Sequence, residues 1–165
     1  MSRAQALLVD IDGTLVDSTA AVVASWTTWA AMHGLDGGEI LASMPRPTDP
    51  GHGRHVPPCR AGAFSHPARL PAPAVLIAVE DVSEGKLDPE GYLTASAALG
   101  SDIVRCVVIE NSPAGIAAGQ AARPRTVAVA TSHDGGELSS ADIVVQDLTR
   151  CALELQADHL VLRAN

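Results

Sequence analysis

Ala6-Leu7-Leu8-Val9-Asp10-Ile11-Asp12-Gly13-Thr14-Leu15-Val16-Asp17-Ser18 is the stretch whose reading decides the fold. A short apolar run closed by Asp12-Gly13 is the pattern of a buried strand that ends in a turn, which sets Asp10 at the strand's C-terminal end. Two carboxylates two residues apart at that position lie where open parallel sheets bind ligands. The spacing suits a division of labour in which one carboxylate attacks, the other moves protons, and a cation suppresses their repulsion. Gly13 lets the backbone turn sharply and turns N–H groups towards an anion. Taken alone, Asp-x-Asp-Gly reads equally well as an Asp-rich turn that caps the next helix. A calcium loop of the EF-hand type fits poorly, since the Glu required at its twelfth position would be Ala21.

Working outward, residues 18–33 lack Gly and Pro and repeat apolar residues at helical spacing (Val22, Val23, Trp26, Trp29, Ala30), with Ser18 or Thr19 as cap and Gly34 as stop. Further strands are expected at 74–79, 105–109, 126–130 and 142–145, and helices at 89–99 and 113–122. Leu153, Leu155, Leu160 and Leu162 alternate about Ala157-Asp158 and suggest a terminal hairpin, with a helix as the other option. Alternating strands and helices predict an α/β fold: a Rossmann-like, mainly parallel sheet with helices on both faces, in one domain over 1–165.

Composition bounds the function. The chain has 165 residues, a formal net charge of −8 and 47% hydrophobic residues, so it is globular and a poor match for a nucleic-acid backbone. Its four aromatic residues, Trp26, Trp29, Phe64 and Tyr92, leave the core to Ala, Val, Leu and Ile. Cys59, Cys106 and Cys151 have no paired short spacing and read as free thiols of a reducing compartment. No run approaches a membrane span, so a cytoplasmic monomer without membrane or nucleic-acid partners is the default expectation.

Residues 45–73 differ in kind. They hold 8 of the chain's 11 prolines, which leaves no helix or strand pattern to read. Their His52, His55, Cys59 and His66 could hold zinc, but no hairpin signal accompanies them and loose loop histidines are the reading adopted.

Asp10 to Ser18 resembles the first motif of the haloacid dehalogenase-like hydrolases, and three later pieces follow in that superfamily's order. Gly85-Lys86-Leu87-Asp88-Pro89-Glu90-Gly91-Tyr92 resembles the motif that supplies its lysine. Glu110-Asn111-Ser112-Pro113-Ala114-Gly115-Ile116 resembles its acidic, metal-holding motif. Residues 75–82 and 127–131 look like the subgroup of sugar-phosphate phosphatases and beta-phosphoglucomutase-like enzymes.

The resemblance implies a Mg²⁺-dependent phosphatase acting on a small phosphorylated metabolite, with a phosphomutase or an inert remnant of the fold as alternatives. Asp10 would attack phosphorus and become an aspartyl-phosphate, and Asp12 would protonate the leaving oxygen and later activate water. Lys86 would balance charge. Mg²⁺ would be held by Asp10, the Asp12 carbonyl and the side chain of Asn111, with Glu110 close by. The substrate phosphate would meet Thr14 and Ser65, although Thr14 and Ser112 also read as loop-ordering groups. The dehalogenase branch lacks the second aspartate, so phosphoryl transfer is favoured.

Three departures from the family pattern stand out. Asn111 replaces an Asp, which removes one unit of charge from the metal's surroundings. Leu87 replaces a Pro and Arg123-Pro124 replaces Gly-Met, which loosens loop geometry. Residues 45–73 stand where a cap domain and a strand ending in a phosphate-binding Ser or Thr belong. That irregular Pro-rich insertion reads as a lost or scrambled cap, with the residue bias of a GC-rich gene read out of frame.

Overall fold

The computed structural model describes residues 2–43, 73–156 and 159–164. The zinc set His52, His55, Cys59 and His66, the phosphate candidate Ser65 and nearly all of the 45–73 insertion lie outside these residues. The elements are β1 (Ser2–Ala4), β2 (Ala6–Val9), α1 (Thr19–Met32), α2 (Gly37–Ser43), α3 (Glu90–Ala98), β3 (Cys106–Glu110), α4 (Pro113–Ala122), β4 (Arg125–Val129), β5 (Ile143–Val145), β6 (Cys151–Gln156) and β7 (His159–Ala164).

Four strands form a parallel sheet in the order β2-β3-β4-β5. All five residues of β3 are buried, which is why Cys-Val-Val-Ile reads as an unbroken apolar run and not as an alternation. On one face, Tyr92, Ala95 and Leu99 pack around Leu8, Cys106 and Val108, and Ile116 of α4 packs with Ala128 and Leu138. Small residues let α4 approach closely: a Cβ on Gly119 would stand 3.1 Å from Thr126 Cγ2 and 3.2 Å from Val108 Cγ1. Ser112 caps this helix by accepting from the Gly115 N–H, and Pro113 occupies its first turn.

The α/β class and parallel sheet agree with the sequence pattern, but the cover of the second face differs. A three-stranded antiparallel sheet, β1-β7-β6, lies there instead of helices. Val107, Ile109, Val127, Val129 and Val145 point from the parallel sheet into a shared core with Ala4 and Leu162. The hairpin option for the C-terminus is therefore correct, and the hairpin's apolar side is what buries this face.

The expected strand at 74–79 does not form. Residues 73–78 are irregular and lead into a 3₁₀ turn, Val79–Asp81, with Leu76 and Val79 61% and 68% exposed. A strand needs a ladder partner, and none of the described strand pairings includes this segment, so the edge of β2 away from β3 carries no described strand. Helix α1 forms as expected, with Ser18 at the N-cap position but without a side-chain cap bond. It packs chiefly on α2, and Val22, Val23, Trp29 and Met32 remain exposed, with only Ala30 among its described side chains buried. Among the described residues no helix is long and apolar enough to cross a membrane.

Candidate active site

The parallel register places Val9 beside Ile109, so Asp10 and Glu110 emerge next to each other at the C-terminal ends of β2 and β3. The Asp10 N–H donates to the Ile109 carbonyl at 3.0 Å and continues the ladder by one step. Side chains alternate along a strand, so both carboxylates fall on the face covered by α3 and α4. Lys86, in the loop before α3, donates from Nζ to Asp10 Oδ1 at 2.5 Å and to Glu110 Oε1. Thr14, buried in the turn after Asp12, donates from Oγ1 to Asp10 Oδ2 at 3.1 Å.

Glu110 is fully buried and saturated. Its Oε1 accepts from Lys86 and from Tyr92 Oη at 2.7 Å. Its Oε2 accepts from the N–H groups of Asn111 and Ser112 and from Ser112 Oγ, at 3.0, 3.2 and 3.1 Å. Gly115 makes room for this carboxylate, since a Cβ there would fall 1.9 Å from Glu110 Oε1. Two acidic groups in one buried pocket repel. Burial first and the charge of Glu110 second raise the Asp10 carboxyl above the usual carboxylate range, against the pull of Lys86 and Thr14. Burial alone would lower the Lys86 ammonium; the carboxylates of Glu110 and Asp10 outweigh it and raise it. Tyr92 is pushed well above the ordinary tyrosine range by burial and by Glu110.

The turns after β2 and β3 are tied to the end of β4. Asn111 Nδ2 donates to the Asp12 carbonyl at 3.3 Å and to Ser132 Oγ at 3.0 Å. Thr131 Oγ1 donates to the Gly13 carbonyl at 2.5 Å, and His133 Nδ1 lies 2.9 Å from the Asn111 carbonyl. Gly13, at φ +78°, lies so close that a Cβ would come within 2.2 Å of Asn111 Nδ2.

No family model matches the chain. Hexitol phosphatase A of Escherichia coli is 28% identical over 214 aligned residues, covering 93% of this chain and 96% of that protein. Validoxylamine A 7'-phosphate phosphatase of Streptomyces hygroscopicus subsp. limoneus is 47% identical over 75 residues, 46% of this chain and 35% of its own length. A solved beta-phosphoglucomutase-like protein from Bacteroides vulgatus, 23% identical, shares the fold over 88% of this chain and 84% of its own, with a TM-score of 0.57. In sequence and in fold the chain is similar to proteins of the haloacid dehalogenase-like kind. The 214 aligned positions exceed the 165 residues present here, so the hexitol phosphatase carries residues without counterpart in this chain. With other relatives the match spans about a third of their length, 35% to 37% in three of them.

At this strand-end site Asp10, Thr14, Lys86, Glu110, Asn111 and Ser112 converge, and the Asp12 carbonyl faces Asn111. The Asp12 side chain is exposed and makes no hydrogen bond with a described residue. Thr14, expected to meet substrate phosphate, has its hydroxyl proton committed to Asp10. Glu110, expected beside the metal, has five donors on its two oxygens and is anchored to Lys86, Tyr92 and the turn after β3. Tyr92 and the run Thr131-Ser132-His133 escaped the sequence reading. The signal was available for the latter, because 131–133 follow a parallel strand's C-terminal end just as Asp10 does.

The donors fit a hard dication: the Asp10 carboxylate, the Asp12 carbonyl and the Asn111 amide oxygen are all oxygen groups. That amide oxygen accepts no hydrogen bond from a described residue, while both N–H groups of the amide have acceptors. One carboxylate among three donors makes the set weakly charged for such an ion.

Proposed function

We propose that the chain is a phosphoric monoester hydrolase acting on a small phosphorylated metabolite, a sugar phosphate by kinship with hexitol phosphatase A. The observation that carries the reading is the Asp10 carboxylate, 15% exposed at a strand end and held between the Lys86 ammonium and the Thr14 hydroxyl. A nucleophile must be fixed in direction and still reachable, and this one is both.

In this reading an Asp10 oxygen forms a bond to phosphorus as the bond to the ester oxygen breaks. Asp12, exposed beside it, gives its proton to that leaving oxygen. Water then attacks phosphorus, Asp12 takes the water's proton, and the Asp10–phosphorus bond breaks to release inorganic phosphate. Lys86 offsets the charge of Asp10 and of the transferred group throughout. Mg²⁺ would be held by Asp10, the Asp12 carbonyl and Asn111, and when bound would draw negative charge from the phosphoryl oxygens. The 45–73 insertion stands in place of a cap, within a single core domain.

Two observations favour a second reading, a catalytically weak remnant of the fold. Residues 74–79 do not form a strand, and Asn111 removes a carboxylate from the metal donors. Phosphate release from a panel of sugar phosphates and an aryl phosphate, with and without Mg²⁺, separates the two. Metal-dependent release abolished by Asp10→Asn supports the hydrolase; none from a folded chain supports the remnant.

A further inference from the structure

The other end of the parallel sheet carries a second cluster of charge. A cavity of about 370 Å³ is lined by Arg3, Ala4, Gln5, Val104, Arg105 and His159. Three segments form it: the β1–β2 junction, the turn before β3 and the first residue of β7. The Gln5 N–H donates to the Arg105 carbonyl at 2.7 Å, and Gln5 Oε1 accepts from the Asp102 N–H at 3.3 Å, so the two arginine-bearing segments are tied together.

The charges here are out of balance. The chain's formal charge is −8, yet among the described residues that line the cavity none is a carboxylate. Arg3 and Arg105 are both exposed, and neither makes an ion pair or side-chain hydrogen bond with a described residue. Two arginines on the lining of one cavity repel each other, and a dianion between them turns that repulsion into attraction. Guanidinium groups match the oxygens of phosphate two at a time, and the amide of Gln5 adds a donor. The volume exceeds what one phosphate needs and falls in the range of small-metabolite sites.

We propose that this cavity is a second phosphate-binding site, which takes the phosphate group of a small molecule and is separate from Asp10. It lies at the start of β2 and β3, whereas Asp10 and Glu110 lie at their ends, roughly 16 Å away along the strand. The ligand is inorganic phosphate or a phosphorylated sugar; both present the same dianion.

Amide correlation spectra of the isotope-labelled chain, recorded during titration with inorganic phosphate, test this. A hexose monophosphate titrated into Asp10→Asn is the second arm. Shifts of the Arg3, Ala4, Gln5, Val104 and Arg105 amides are expected in at least one arm, and the arm with the tighter isotherm names the source. Arg105→Gln should weaken that isotherm about tenfold, the loss of one charge-assisted pair. Arg3→Gln, on a strand edge, should do the same and serves if Arg105→Gln fails to fold. Shifts confined to the amides of 10–18 and 111–115, or an unchanged isotherm in a folded variant, would overturn the site.

Discussion

Lys86 and Asp10 lie 76 residues apart in the chain and touch at 2.5 Å, with the same ammonium also on the buried Glu110. One cation thus holds two carboxylates that would otherwise repel across the ends of β2 and β3. Lys86→Met removes it and leaves Glu110 buried with one donor fewer. Urea unfolding should show a loss of about 2 kcal/mol, the scale of a hydrogen bond to a charged group. Burial and Glu110, which already raise the Asp10 carboxyl, then act without opposition from Lys86. If the hydrolase reading holds, the acid limb of the pH–rate profile should move to higher pH, and kcat/KM should fall about a hundredfold. An acid limb that stays in place would argue that Asp10 is not the group titrating.

Tyr92 is the chain's one tyrosine, and its hydroxyl donates to Glu110. Burial and the neighbouring carboxylate hold its proton on at a pH where an unfolded tyrosine, with a pKa of about 10, has lost it. The folded state therefore binds more protons than the unfolded state above that pH, and stability must fall as pH rises further. Lys86, also raised, contributes with the same sign. Denaturation midpoints should decline from about pH 10 upward. Tyr92→Phe should cost about 1.5 kcal/mol near neutral pH and make the alkaline decline shallower. An equally steep decline in the variant would place the titrating group elsewhere.

What could be read from the sequence was what local pattern determines. Asp10 to Gly13 announced a strand end and a turn because apolar run, carboxylates and glycine sit side by side, and Pro113 to Ala122 announced a helix through its cap and small residues. Residues 74–79 misled for the converse reason: their apolar run is strand-like, but strand formation depends on a neighbour that no local pattern reveals. Ser2–Ala4 is too short and polar to read as a strand, and it becomes one only by pairing with Leu160–Leu162 at the far end of the chain. Tyr92 and Ser132 were missed because their roles rest on Glu110 and Asn111, contacts that exist only once the sheet is assembled.

Arg123 ends α4 at φ +70°, the left-handed region that costs an ordinary residue about 1 to 2 kcal/mol and glycine almost nothing. The family pattern has glycine at this point, so the departure noticed in the sequence has a backbone consequence. Its side chain is exposed and Pro124 follows at once, which fixes the chain's exit from the helix. Arg123→Gly should relieve the strain against some added freedom of the unfolded chain, for a net gain of about 0.5 to 1 kcal/mol. A thermal midpoint that fails to rise would show that the surrounding turn, and not this φ angle, limits stability.

Asn111 Nδ2 stands 3.3 Å from the Asp12 carbonyl and 3.0 Å from Ser132 Oγ, so the amide ties the two turns together without a cation. Asn111→Asp exchanges that N–H donor for an oxygen and sets two acceptors against each other. Without Mg²⁺ the variant should be less stable than the parent by about 1 to 2 kcal/mol. The added carboxylate should also tighten Mg²⁺ binding about tenfold, since charge count governs affinity for a hard dication. Both effects appear in one experiment, thermal melting across a Mg²⁺ titration, because an ion that binds only the folded state raises the midpoint. The parent should begin higher and respond little, and the variant should begin lower and climb steeply. Parallel curves for the two would mean that position 111 does not face the cation, and the metal donors would then have to be sought without it.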